Sequence, residues 1–358
     1  MLDEICKKRN LMKIWPKGDN WVTRRKEIID ILLEEEYGFI PKRHDKIDWE
    51  IVEENIEYCA GKVTLRKINA TVYFNENNFT FPIYSTIPNS SKKLPFFVFL
   101  NFDSIIPHKY FPAEEICDRG YAVLSIGYRE VAEDEIFQPD PRYRDEIKKI
   151  FYADDKRKCN DAGKLAIWAW AASRVMDYAE TLDCLDFSCA NVIGHSRLGK
   201  TALLAGALDE RFTCAISNDS GTSGAAITKM KTGENIRDIA GRRPYWYCEN
   251  YLKYIDNEDS LPFDQHFLVA AMAPRKVYIA SAEEDSWSDP DSEFLSAYAA
   301  NEVYEKLGIR GLVAPDRFPV AGDVFHDGNI GYHLRKGKHY FSREDWNIIM
   351  DYLDSKRK

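Results

Sequence analysis

The chain of 358 residues predicts an α/β fold, a doubly wound, mostly parallel sheet with antiparallel strands on its N-terminal side and helices on both faces. Three observations carry that prediction. The runs FFVFLN (96–101) and YAVLSI (121–126) are apolar without alternation, as strands covered on both faces are. Strand-like and helix-like stretches then alternate through the second half of the chain. Finally, ANVIGHSRLGKTALLAGAL (190–208) reads as a strand, a tight turn and a helix in immediate succession. A hydrophobic share of 45% suffices for one large core, and no repeat, low-complexity tract or linker divides the chain. A single domain over 1–358 is therefore expected.

In chain order, Asn20 caps a helix over 21–37 whose apolar stripe is Ile28, Ile29, Leu32 and Leu33, and Gly38 and Pro41 stop it. Residues 1–56 as a whole read as an N-terminal helical extension. Extended runs of Val, Thr, Tyr, Phe and Ile from 57 to 88, broken by a turn at 75–78, predict antiparallel strands. The parallel core begins with 96–101 and 121–126, joined by a helix near 113–118. Residues 128–161 are polar, charged and proline-bearing, too long for a plain connector, and read as a surface excursion near the site. The next helix, over 165–182, is apolar along its first half, which places Trp168 and Trp170 in the core. Beyond 208, strands are expected near 212–216, 276–281 and 312–314, and helices near 293–307 and 343–353.

Composition excludes several classes of partner. The formal charge of −9 is modest and spread along the chain, with no basic cluster, which disfavours nucleic acid or an anionic membrane surface. The first twenty residues contain no apolar signal core, and no run approaches the roughly 18 to 20 apolar residues that span a bilayer. A cytoplasmic protein is the expectation. Eight cysteines scatter without C-x-x-C spacing, so they read as reduced, mostly buried thiols, and neither a metal nor a cofactor is expected.

The turn GHSRLGKT (194–201) fits two chemistries. It matches a phosphate-binding loop, with Lys200 and Thr201 serving phosphate and magnesium, but the companion strand ending in a magnesium-binding Asp has only CAISND, up to Asp219, as a weak candidate. It also matches a nucleophile elbow. A serine hydroxyl needs a histidine to take its proton, and the histidine needs a carboxylate to hold its tautomer and stabilise its charged form. Elbow hydrolases arrange these along the chain as Ser, acid, His. Here Ser196 follows a strand, Asp285 follows the strand VYIASA, and His339 lies just before the last helix.

These blocks carry a resemblance. IGHSRLGK (193–200), SNDSGTSGAA (217–226), GENIRDI (233–239), the segment from 261 to 295 and IGYHLRKGKH (330–339) are similar to the glucuronoyl esterase family. These are the 4-O-methyl-glucuronoyl methylesterases of the α/β-hydrolase superfamily. The resemblance is strong from about 96 to 346, weaker before, and absent in the first twenty residues. It implies an α/β-hydrolase fold and a serine carboxylic-ester hydrolase acting on esters of glucuronic or 4-O-methyl-glucuronic acid in hemicellulose-derived saccharides, through an acyl-enzyme.

The resemblance also assigns roles. Ser196 is the nucleophile, His339 the base and then the acid, and Arg197 the oxyanion partner through its backbone N–H and guanidinium. The family seats its acid in one of two places, here Asp285 and Asp219, and the longer reach required of Asp219 favours Asp285. Lys200, Glu234 and Trp287 are implied contacts to the sugar, and their chemistry suits hydroxyls and a ring face. A small-molecule or oligosaccharide uronate ester is the implied partner.

Several positions depart from the family pattern. His195 and Tyr340 stand where fungal members form a bridge beside the site, so that bridge is absent and His195 reads as a packed neighbour. Asp103 and Ser104 replace a glycine-bearing block, leaving the second oxyanion donor open. Thr228, Lys229 and Met230 replace residues that are often basic and alter the rim. Ser223 lacks the strand-to-helix context of a nucleophile, and His266 and His333 read as structural. The rival of the same class is a carbohydrate acetyl esterase. Rivals of other classes are a catalytically silent sugar-binding member and a phosphate-loop nucleotide-binding protein.

Overall fold

The computed structural model describes residues 1–17, 20–40, 44–134, 147–152 and 156–357. The strands are β1 Lys46–Tyr58, β2 Val63–Phe74, β3 Asn77–Pro88, β4 Leu94–Asn101, β5 Ala122–Gly127, β6 Leu185–His195, β7 Cys214–Asn218, β8 Lys276–Ala282, β9 Val324–Phe325 and β10 Ile330–Arg335. They form one sheet in the order β1-β2-β3-β5-β4-β6-β7-β8-β10-β9. Neighbours from β5 to β10 run parallel, whereas β1, β2, β3 and the β3–β5 contact are antiparallel, as is the final β9–β10 pair. Strand order reverses direction around β4, and in open α/β sheets the crevice at the carboxyl ends beside such a reversal is where ligands bind.

The helices are α1 Leu2–Lys8, α2 Trp21–Leu32, α3 Ala113–Asp118, α4 Tyr128–Val131, α5 Lys148–Phe151, α6 Lys164–Ala179, α7 Arg197–Leu208, α8 Ile236–Ala240, α9 His266–Ala270, α10 Pro290–Lys306 and α11 Arg343–Ser355. Two apolar cores lie on opposite faces of the sheet, and the side-chain period of two explains the division. Phe96, Val98 and Leu100 join α6, α7, α9 and α10 in the larger core. Phe97 and Phe99 join α3 and α11 in the smaller. Trp168 and Trp170 are buried as predicted; Trp170 packs on Phe74, Phe81 and Phe151, and Trp168 donates its Nε1–H to Ala132 O at 3.2 Å.

The N-terminal expectations need correction. Residues 46–56 are not part of a helical extension but belong to β1, where Ile47, Trp49 and Ile51 alternate with acidic residues and pair with β2. The helix capped by Asn20, whose Oδ1 accepts from Val22 N at 2.9 Å, ends at Leu32 and continues as a π-helical turn, Leu33–Tyr37. Gly38 then stops it at φ +83°, with Asp161 O only 2.2 Å from where a Cβ would sit. Pro41 lies outside the described residues, as do 135–146 and 153–155 of the surface excursion. The described parts of that excursion contribute α4 and α5.

A second correction concerns the last strands. Residues 312–314 form no strand; Leu312 N is taken by Asn301 Oδ1 at 2.7 Å, so a side chain occupies the donor a ladder would use. The strand lies instead at β10, in register with β8 from Ile330↔Val277 to Arg335↔Ala282.

The π-turn buries Glu36 completely, with Gln265 Nε2 donating to both carboxylate oxygens at 3.3 and 3.1 Å. Burial raises its pKa to about 7, against the opposing pull of the hydrogen bonds. A carboxyl raised on folding favours the folded state below its ordinary pKa, near 4.5, and that contribution is lost as pH rises through about 7. Thermal melts from pH 5 to pH 8 should therefore show the wild-type chain losing more stability than Glu36→Gln. Parallel slopes for the two would contradict this assignment.

Candidate active site

Four loops leave the carboxyl ends of β6, β7, β8 and β10 and meet. The first carries Ser196 at φ 57° and ψ −128°, between β6 and α7. A non-glycine residue held there costs on the order of 1–3 kcal/mol, and the turn closes only because its neighbours are small. At Gly194 a Cβ would lie 2.1 Å from Leu198 O, and at Gly199 one would press on Ser217, Asn218 and Ser220. Ser196 N donates to Asn218 O at 2.8 Å, which ties the turn to β7.

His339 Nε2 lies 2.9 Å from Ser196 Oγ, and His339 Nδ1 lies 2.6 Å from Asp285 Oδ2. Burial pushes the Asp285 carboxyl upward, but its hydrogen bonds to His339 and Ser288 more than offset that and hold it below the usual carboxylate range. It is an ionised acceptor for an imidazole N–H. Asp219 offers a carboxylate oxygen within 4.8 Å of the Asp285 and His339 groups, yet its Oδ2 accepts from Arg335 Nη2 at 3.3 Å and its buried Oδ1 has no partner among the described residues. Burial, with the nearby Glu293, Asp345 and Asp285, raises the Asp219 pKa well above the ordinary value; Arg335 opposes this only in part. A carboxyl whose charged form is disfavoured is the poorer stabiliser of an imidazolium. Geometry and charge thus both favour Asp285 as the partner of His339.

Arg335, at the end of β10, was not singled out by the sequence and organises the histidine loop. Its Nη1 donates to Lys336 O at 2.9 Å, and its Nη2 to Lys338 O at 3.1 Å and to Tyr340 O. Its Nε is held by both oxygens of Asp345 at 3.0 and 2.8 Å. Asp345 also completes the capping box of α11 with Ser342. The acidic loop joins the same assembly, because Glu284 N donates to Gly337 O at 2.9 Å.

Arg197 opens α7, so its backbone N–H belongs to the helix-end donors that the helix itself leaves unpaired, beside Ser196 Oγ. Its guanidinium pairs with the fully buried Asp134 and lies 4.8 Å from the Trp246 ring centroid and 5.6 Å from that of Phe102. Asp134 also accepts from Tyr128 OH, Tyr245 OH and Trp246 Nε1 at 3.0–3.1 Å. Neither Asp134 nor Trp246 was legible as a site residue; an acid at the root of a polar excursion was the available signal. The second oxyanion donor is not Phe102 N, which is already bonded to Asn101 Oδ1 at 2.9 Å.

Lys200 is nearly buried, and its Nζ donates to Ser220 O, Thr222 O and Glu234 Oε2 at 2.6, 2.5 and 3.2 Å. Glu234 Oε1 accepts from Trp287 Nε1 at 3.1 Å, and the Trp287 ring is half exposed. The three residues expected to meet a sugar are therefore one linked chain, with Lys200 and the buried Glu234 as its inner part and Trp287 facing outward. The phosphate-loop reading fails here, because Lys200 is spent on carbonyls and Thr201 Oγ1 on Arg197 O at 3.0 Å.

The other flagged residues are packed. His195 Nδ1 bonds Asn218 Oδ1 at 2.5 Å, and its ring lies 4.6 Å from that of His339 and stacks on Phe341. Burial, with the nearby His339 charge, lowers its pKa to about 3, so it remains neutral. His266 meets Met12 O, His333 meets Asp345, and Ser223 is fully buried against Tyr251 OH.

Two cavities flank Ser196 and share it with Arg197 and His339. One, of about 330 Å³, is lined by Lys200, Glu234 and Trp287; the other, of about 310 Å³, by Phe102, His108 and Tyr110. An elbow serine at the carboxyl edge of a mostly parallel sheet, with His and Asp from later loops, defines the class: this is an α/β-hydrolase with a Ser-His-Asp arrangement.

Comparison with known proteins narrows the class. The family described as "Glucuronyl esterase, fungi" matches residues 70–308. A carbohydrate esterase, MZ0003, from an unknown prokaryotic organism is 41% identical over 243 residues, covering 67% of this chain. The 4-O-methyl-glucuronoyl methylesterase of Podospora anserina is 25% identical over 306 residues, covering 83% of it. The aligned parts span only 55% and 58% of those two relatives' own lengths. Among solved structures, the glucuronoyl esterase from Solibacter usitatus superposes with a TM-score of 0.84 at 32% identity, covering 95% of this chain and 93% of that one. The chain belongs to the glucuronoyl esterase family.

The geometry at Arg335 predicts a separable effect. Arg335→Lys retains the charge but cannot reach three carbonyls and a carboxylate at once, so ester hydrolysis should lose at least about tenfold in kcat while KM changes little. Steady-state kinetics on a folded variant, verified by its melting curve, checks this. A change confined to KM would remove Arg335 from the positioning of His339.

Proposed function

We propose that the chain hydrolyses esters of glucuronic acid or its 4-O-methyl ether in hemicellulose-derived saccharides through an acyl-enzyme. The observation that carries the reading is the pair of contacts at His339, 2.9 Å to Ser196 Oγ and 2.6 Å to Asp285 Oδ2, opening onto a cavity lined by Lys200, Glu234 and Trp287. Ser196 Oγ attacks the carbonyl carbon as His339 Nε2 takes its proton. The oxyanion forms beside the Arg197 N–H, where one donor is typically worth about 100- to 1000-fold in rate. The C–O bond to the alcohol then breaks, and His339 returns the proton to the leaving oxygen. Water attacks the acyl-enzyme by the same route, releasing the uronic acid and restoring Ser196. The uronosyl ring lies against Trp287 and Glu234, and the alcohol lies toward Phe102 and Tyr110.

The names of the relatives support this substrate class over an acetyl ester, since the Podospora protein is a 4-O-methyl-glucuronoyl methylesterase and the Solibacter protein a glucuronoyl esterase. We further propose that the chain acts in the cytoplasm; that all eight cysteines are unpaired supports a reducing compartment. Among the described residues no helix is long and apolar enough to cross a membrane. Fractionation of the native protein into the medium would overturn this location.

Benzyl glucuronate should be turned over faster than acetylated xylooligosaccharide or 4-nitrophenyl acetate, and faster cleavage of the acetylated sugar would replace this substrate with the acetyl ester. Ser196→Ala should abolish both turnover and fluorophosphonate labelling, whereas a wild-type chain that takes no label is a silent binder. Asp285→Asn should lower kcat on the order of 1000- to 10000-fold, and Asp219→Asn far less. The reverse order would make Asp219 the acid.

A further inference from the structure

The cavity that holds Lys200, Glu234 and Trp287 is also lined by Arg242 and Arg243, which none of the proposed chemistry uses. The other two cations of this cavity are already neutralised, Arg197 by Asp134 and Lys200 by Glu234 and two carbonyls. Arg243 is different. Among the described residues its guanidinium has no carboxylate partner and its Nε is buried without an acceptor, and it lies 5.1 Å from the Trp246 ring centroid. Arg242 is exposed and meets Asp238 Oδ1 at 3.6 Å, a solvent-facing i,i+4 contact of little net weight, while the other oxygen of Asp238 serves the capping box of α8.

Of the two, Arg243 is the one left without a carboxylate among the described residues, in a chain of net charge −9. Guanidinium groups offer forked donors that match planar or tetrahedral oxyanions. Trp246 fixes where such an anion would sit, because its ring lies 4.8 Å from the Arg197 guanidinium on the nucleophile side and 5.1 Å from that of Arg243. Arg197, next to Ser196, and Arg243 thus lie against the same indole, and Arg242 and Arg243 line the same cavity as Ser196.

We infer that Arg242 and Arg243 form a subsite for an anionic substituent, a carboxylate or a sulfate, on the sugar adjoining the esterified uronosyl residue. The preferred substrate is then an acidic oligosaccharide that carries a second charge beyond the ester. This inference rests on the esterase reading for its substrate but not for its binding chemistry.

The test uses three methyl glucuronate disaccharides that differ only in the adjoining sugar, which is neutral, bears a free carboxylate, or bears a sulfate. Wild-type protein should cleave at least one acidic form with kcat/KM about tenfold above the neutral form, an advantage that shrinks in high salt. In Arg242→Gln/Arg243→Gln that ratio should fall to near one, and in Arg243→Lys it should be partly retained. Whichever acidic form gains identifies the anion. Calorimetric titration of Ser196→Ala with the same three compounds should reproduce the preference without turnover. Equal kcat/KM for neutral and both acidic forms, or a preference that survives in the double variant, overturns the subsite. If wild type cleaves none of the three while Ser196→Ala still binds an acidic form more tightly, the esterase reading falls and the subsite stands.

Discussion

The histidine loop has no regular structure of its own, so the position of His339 depends on a buried guanidinium. Arg335 reaches from the end of β10 into three carbonyls of that loop, while Asp345 at the start of α11 and Asp219 beyond β7 hold it from behind. A buried cation of this kind is tolerable only if every donor is satisfied, and removing one partner of such a pair typically costs about 3–5 kcal/mol. Asp345 bears most of that load. Burial pushes its carboxyl upward, but His333, Arg335 and Ser342 together hold it below the usual range. Sheet, last helix and catalytic loop therefore share one electrostatic anchor.

The same arrangement divides the labour of the carboxyl groups. Several acids crowd the carboxyl edge of the sheet, and they cannot all be charged at close range. Asp285, facing His339, and Asp345, facing Arg335 and His333, keep their charge, while Asp219 is driven toward its neutral form. Burial raises Glu293, which lies between β8 and the loop after β7, to about 7, against the opposing pull of the hydrogen bonds it accepts from Ser281, Ser220 and Gly221 N. Asp219 thus sits near His339 without serving as its hydrogen-bond partner. On the cation side, Arg197 and Lys200 are quenched by buried partners, which leaves uncompensated positive charge at the Arg243 rim of the cavity.

Legibility in the sequence followed the range of the interaction. The strands 96–101 and 121–126, the helix with Trp168 and Trp170, and the elbow at Ser196 were readable because burial on two faces, helical periodicity and a glycine-flanked turn are local patterns. The triad members could be named because their order along the chain is itself a signal. The strand expected at 312–314 was misplaced because Leu312 loses its donor to Asn301, a contact invisible in a window of a few residues. β1 was missed because its acidic residues hide an apolar alternation that matters only once β2 lies beside it.

What the sequence indicated by itself was the α/β architecture and the order Ser196, a later acid, His339, each from residue type, spacing or chain order; the grouping of Lys200, Glu234 and Trp287 came from the resemblance to the family. Only the tertiary structure decided which aspartate faces His339, that Lys200 is an inner support, and that Asp134, Trp246 and Arg335 hold the site in place. Those outcomes depend on burial and on charges brought together from segments 10 to 116 residues apart. Desolvation and Coulomb energies exist only once the fold has set the distances.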